Sequence, residues 1–132
     1  MSARLRGLLW LNLAPQALLG VGLFAVAPEQ VLPGLGPSGA LAMRLAAFSN
    51  VPQVALTVYA VRRADPSWQR ALVLAFAAYH LLAGAQATVI AWWLPASDLS
   101  AACQGPTVVH TARALVLLLG GARPVTPSAA RC

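Results

Sequence analysis

Four apolar runs of this chain are interrupted by side chains that could do chemistry. Asn12 and Gln16 lie in the first run, Ser49, Asn50, Gln53 and Thr57 in the second, His80 in the third, and His110 with Arg113 in the fourth. At ~100° per helical residue, Ser49, Gln53 and Thr57 fall on one line with Asn50 beside them, and Arg44 falls on another side. Histidine is the side chain here whose ordinary range lets it exchange a proton near neutral pH. A histidine with carboxamides around it can orient an amphiphilic ligand and act on it as acid or base, so Gln16, Asn50, Gln53 and His80 are the candidate ligand-binding residues, with His80 the candidate catalytic group. The competing use of the same residues is interhelical hydrogen bonding, worth roughly 0.6 to 2 kcal/mol each between membrane helices.

The elements that must position these groups follow from the apolar runs. The chain has 132 residues, of which 59% are hydrophobic and 9% charged. Soluble domains carry roughly 25% charged residues, so lipid is the expected solvent. Spans are predicted over about residues 7–27, 40–61, 69–93 and 107–121, the last being short of the roughly 20 residues usually needed. Arg4, Arg6 and Ala25-Val26-Ala27 imitate a secretory signal, but Asn12, Pro15 and Gln16 break its core and Pro28 would follow the cut, which favours a retained first span. Pro15 and Pro52 predict kinks in the first two spans. The connection PEQVLPGLGPSG is turn-rich, and Ser38 is the expected N-cap of the second span. Asp65 is the expected N-cap of the third, with Pro66 in its first turn. On the third, Val73, Ala77, Gly84, Ala87 and Ala91 share a face with His80, a small-residue surface suited to close helix packing.

Charge orients the bundle. All nine basic residues are arginines, against three acids. With the amino terminus inside, Arg4, Arg6, Arg62, Arg63, Arg70, Arg123 and Arg131 are cytoplasmic, and the outer loops hold only Glu29 and Asp98. The expected fold is therefore all-α: an integral membrane, antiparallel four-helix transmembrane bundle with both termini inside. Residues 1–122 form a single domain, and 123–132 a disordered cytoplasmic tail. Cys103, in the second outer loop, and Cys132, in the tail, fall on opposite faces and cannot pair within one chain. No basic cluster exceeds Arg62-Arg63, which argues against nucleic acid as a partner.

Depth is counted at ~1.5 Å per residue. Gln16 then lies about 16 Å from the inner end of its span, Asn50 about 15 Å from the outer end and His80 about 13 Å from the inner end, so three helices offer a polar group near the midplane. Arg44 and Arg113 lie on the outer side, with His110 one turn from Arg113. These three form an expected outer-side polar cluster, snorkelling to headgroups or pairing with Glu29 and Asp98. On this count the two histidines differ in depth by about 10 Å or more, too far to bracket one haem iron. Neither has a cysteine or carboxylate beside it, so no metal site and no cofactor is expected. Every acid sits in a loop, unlike a proton-coupled exporter, and no phosphate loop or nucleophile elbow is present.

The stretch FAVAPEQVLPGLG closing the first span, Arg44 opening the second, Arg62-Arg63 closing it and AAYHLLAG in the third resemble the layout of small DoxX-like four-helix membrane proteins, over about residues 5 to 95. That resemblance implies a multi-pass membrane protein, with relatives linked to respiratory or redox membrane complexes, and it transfers no catalytic residue. The more distant likeness to sterol-isomerase-type bundles implies a ligand site built on intramembrane acids, which this chain lacks. The leading expectation is a scaffold or accessory subunit that packs against lipid, itself or other membrane subunits. The alternative is a binding protein or enzyme for a lipid, quinone or isoprenoid, with His80 exchanging the proton.

Overall fold

A computed structural model of the chain describes residues 3–31, 36–62, 65–93 and 98–123. Within them the chain is all-α, with four long helices and one single turn: α1 Ala3–Ala25, α2 Pro28–Val31, α3 Pro37–Arg62, α4 Pro66–Trp93 and α5 Asp98–Ala122. The start of α4 has a clear cause. Asp65 Oδ1 accepts from the backbone N–H of Ser67 at 2.8 Å and of Trp68 at 3.0 Å, and from the Ser67 hydroxyl at 2.7 Å. Pro66, which has no N–H to leave orphaned, supplies the first helical residue. At α3 the helix begins one residue before the expected cap. Pro37 opens it, Gly36 O accepts from Ala40 N at 3.0 Å, and Ser38 lies inside the first turn.

The largest departure from expectation is α5. It begins at Asp98 rather than Thr107 and runs for 25 residues through Pro106, so Cys103 lies in a helix and not in a loop. The Thr107 hydroxyl bonds the Cys103 carbonyl at 2.9 Å, satisfying an acceptor beside the gap that Pro106 leaves in the helical ladder. Pro15 and Pro52 likewise lie inside α1 and α3, which continue past them. The expected tail falls outside the described residues beyond Arg123, as do the side chains of Glu29 and Asp98.

The four long helices run up, down, up, down. Gly84 lies against Thr111 and Gly121 against Val73, which makes α4 and α5 antiparallel. Gln16 reaches Gln53 while Gly20 lies against Asn50, which does the same for α1 and α3. The α4–α5 and α1–α3 pairs are the most intimate, and α1 with α4 makes the central contact between them. Val73, Ala77, Gly84, Ala87 and Ala91 are all buried, and a Cβ at Gly84 would lie 3.0 Å from Thr111 Oγ1. The small face of α4 is thus spent on α5 within the chain.

Leu5, Leu9, Ala60, Val73, Phe76, Ala77 and Leu117 form an apolar core towards the end where α1 starts and α5 finishes. Arginines close that end. Arg70 donates to Gly121 O at 3.0 Å and Ala122 O at 3.2 Å, and Arg4 donates to Arg123 O at 2.7 Å. These bonds satisfy carbonyls that a helix end leaves orphaned, and they set positive charge at the negative end of the α5 dipole.

The outside is apolar. Leu18, Phe48, Leu82, Trp93 and Leu119 are each between 65% and 77% exposed, and every long helix contributes such residues. By length and composition, α4 is the one helix among the described residues long and apolar enough to cross a membrane, where four spans are expected from the sequence.

Two outcomes follow. Gly84→Leu forces atoms into the Thr111 hydroxyl and backbone and the His110 Cβ and costs about 1–3 kcal/mol, read as a lowered thermal midpoint in detergent, whereas Gly7→Ala, with nothing within 4 Å, leaves it unchanged or raised. The hydrogen bonds from the Ser67 hydroxyl and the Trp68 N–H hold the Asp65 carboxyl below its ordinary range. A depressed folded-state value gives stability that is present above the unfolded pKa and lost as pH falls through the folded one. Melting followed from pH 7 down to pH ~3 will show that loss in the wild type and a weaker pH dependence in Asp65→Asn.

Candidate functional site: a buried polar hub and the cleft beside it

Three of the four long helices bury polar side chains. Asn12 and Gln16 from α1, Asn50, Gln53 and Thr57 from α3, and Gln69 and His80 from α4 are all buried. The i, i+4 spacing of Asn12 and Gln16, and the 50, 53, 57 spacing on α3, keep each set on one face. His80 is the centre, and it is 0% exposed. Its Nε2 lies 2.7 Å from Asn12 Oδ1, and its Nδ1 lies 2.8 Å from His110 Nδ1.

These two contacts constrain the protons. A carboxamide oxygen only accepts, so His80 donates from Nε2. The neutral ring then accepts at Nδ1, and His110 donates from its own Nδ1. Both rings cannot be cationic in this geometry, since two N–H groups would face each other. Gln16 Nε2, 3.4 Å from His80 Nε2, meets another donor there and finds its acceptor in Gln53 Oε1, also at 3.4 Å. Tyr79 sets its ring edge-on to His110 at 6.4 Å between centroids, and its hydroxyl lies 3.4 Å from Ser49 Oγ. The hub therefore ties α1, α3, α4 and α5 together.

Sequence depth counting separates His80 from His110; in the fold they touch. That count opened the fourth helix at Thr107. With α5 opening at Asp98, His110 is a mid-helix residue level with His80. The rings stack at 5.0 Å between centroids, which leaves no room for an iron between them. Arg44 is exposed on α3, which is not among the helices α5 packs against closely. The expected outer cluster is accordingly divided: His110 joins the hub, and Arg113 turns towards α1. Of the four ligand candidates, Gln16, Gln53 and His80 come together, while Asn50 is buried beside Gly20. Tyr79 and Gln69 escaped sequence reasoning. Gln69 donates to Ala60 O at 3.0 Å, joining α4 to the last turns of α3, and its place one turn inside α4 was the signal for it.

Beside the hub lies a cleft of about 290 Å³ between α1 and α5, lined by Leu11, Asn12, Pro15, Ala112, Arg113, Val116 and Leu117. Two buried donors on its wall have no partner: Asn12 Nδ2 and one guanidinium nitrogen of Arg113. Such groups are costly to leave unpaired. Among the described residues no group of three or more histidine, cysteine or acidic side chains is arranged to hold a metal ion. Comparison of the chain with protein-family models, curated proteins and solved structures gives no match.

Removing the centre tests the hub. His80→Ala strips Asn12 Oδ1 and His110 Nδ1 of their partner and opens a void, at a cost of about 2 kcal/mol or more. His110→Ala costs less, because His110 is half-buried and Asn12 keeps its partner. Thermal denaturation of the two variants in one detergent gives the order.

Proposed function

We propose that this chain is an integral membrane protein whose four long helices all cross the bilayer, with both termini on the cytoplasmic side. One observation carries the reading: large apolar side chains cover the outer faces of α1, α3, α4 and α5, while a seam of carboxamides and a histidine runs through the interior beside the apolar core. A water-soluble bundle turns its polar residues outwards, and apolar surface on this scale marks contact with lipid or protein. Arg4, Arg62, Arg70 and Arg123 gather at one end, which supports the orientation. Membership of a DoxX-like group fits this layout and is part of the proposal.

Within the membrane the chain serves as a non-catalytic scaffold or accessory subunit of a larger complex. Both ring nitrogens of His80 are engaged and the ring is closed off, which favours interhelical bonding over acid/base work on a lipid, quinone or isoprenoid. The small face of α4 is used internally, so partner helices meet the outer surface, where Phe48, Leu82 and Trp93 stand exposed.

Accessibility labelling tests the topology. In a variant lacking the native cysteines, Gln30→Cys reacts with an impermeant maleimide in intact cells, and Ser67→Cys reacts only after permeabilisation. Carbonate washing leaves the protein in the membrane. A water-soluble monomer obtained without detergent refutes the reading.

A further inference from the structure

The cleft between α1 and α5 has a role of its own to account for. We propose that it takes an anionic amphiphile, a carboxylate or phosphate head on an aliphatic chain, with the head at Asn12 and Arg113. The inference goes beyond a scaffold role and rests on the membrane reading only for where the chain's tail goes.

The hub prepares one side of the site. Asn12 is 2% exposed, and its Oδ1 is held at 2.7 Å by His80 Nε2. The other end of the carboxamide, Nδ2, is left with no partner, and Asn12 lines the cleft. Arg113, facing it from α5, has a buried guanidinium nitrogen that is likewise unpartnered. The polar side chains of the lining thus bring unpartnered donors, one of them on a cation. A carboxylate or phosphate accepts from both and offsets the arginine's charge, whereas an alcohol offsets none of it and an ammonium opposes it. His80 acts as a positioning residue here, since it fixes which end of Asn12 faces the ligand.

The rest of the lining selects a chain. Leu11, Pro15, Val116 and Leu117 are apolar, and Leu11 and Val116 are exposed at the rim, so the cleft opens sideways onto the apolar exterior. A volume of about 290 Å³ is at the small end for ligand pockets. It suits a head and the first few carbons, with the remainder lying along α1 and α5 among lipid chains. A bare inorganic anion would leave the apolar lining unused.

The test uses the full chain, purified into nanodiscs of uncharged phosphatidylcholine, with hexadecanoate, hexadecyl phosphate, phosphatidic acid and hexadecanol as probes. Saturable binding of the anionic probes is expected, with hexadecanol about tenfold weaker or more. Arg113→Gln lowers anion affinity by about tenfold or more, while helicity measured by circular dichroism is retained. Ala112→Phe, which fills the cleft without touching the hub, abolishes binding and decides the matter if Arg113→Gln fails to fold. Preference for hexadecanoate over phosphatidic acid identifies a free fatty acid as the source, and the reverse identifies a membrane lipid. Equal binding of hexadecanol, or binding that survives Ala112→Phe, overturns the site. A chain soluble without detergent would sink the membrane reading alone, because the same probes can then be titrated in buffer.

Discussion

The arrangement of this molecule depends on a single requirement: the polar groups on the inner faces of its helices must find their partners inside the bundle. His80 meets that requirement twice, towards Asn12 on α1 and towards His110 on α5. Both contacts are short, and both need α1, α4 and α5 in one register and at one depth. A shift of α5 by one residue would rotate His110 by ~100° and leave His80 Nδ1 without a donor. Leucine against leucine tolerates such sliding, but a buried donor–acceptor pair does not, so the hub specifies alignment more than it adds adhesion.

Such a pairing is feasible because the helices can approach. Gly84 sits one turn beyond His80, and its missing side chain lets the Thr111 backbone come near. Gly121, two turns before His80 in height, lies against Val73 and Leu74 where any Cβ would crowd them. Glycines on opposite members of the α4–α5 hairpin therefore hold the two axes close on either side of the histidine pair. At the end of the hairpin, Arg70 fixes the last carbonyls of α5 from α4, and Arg4 does so from α1. The residues that first read as topology markers thus also act as caps, and the two roles agree because a helix carboxyl end favours cations.

Most of this was legible in the sequence, and the parts that were not share a cause. The inward stripe on α3, the small face of α4 and the Asp65 cap follow from helical spacing and N-cap chemistry, which are local. The partner of His80 is not local. It depended on where α5 begins, and Pro106 drew the boundary too late because proline usually ends a helix. Asp98 and the hydroxyl of Thr107 were the countersignals, an acid suited to a first turn and a side chain able to bond the carbonyl four residues back. Nine missing residues are about 13 Å of helix, and that error alone split His110 from His80 and grouped it with Arg44.

Polarity along a helix's sequence is not polarity at its surface. An average taken along α1 counts Asn12 and Gln16 as polarity offered to the surroundings, yet both are 2% exposed. What a solvent meets on α1 is Trp10, Leu11 and Leu18. Helix by helix the sequence looks moderately apolar; face by face it divides into a polar seam and an apolar coat. The seam leaves a few atoms without a partner, Thr57 Oγ1 and Gln69 Oε1 among them, and at two such residues, Asn12 and Arg113, the coat opens into a cleft. The two at the cleft differ from the others in their setting: Asn12 and Arg113 face a shared opening from α1 and α5, among apolar residues and where the hub holds one end of a carboxamide, which is the setting on which the proposed charged head with a hydrocarbon tail rests.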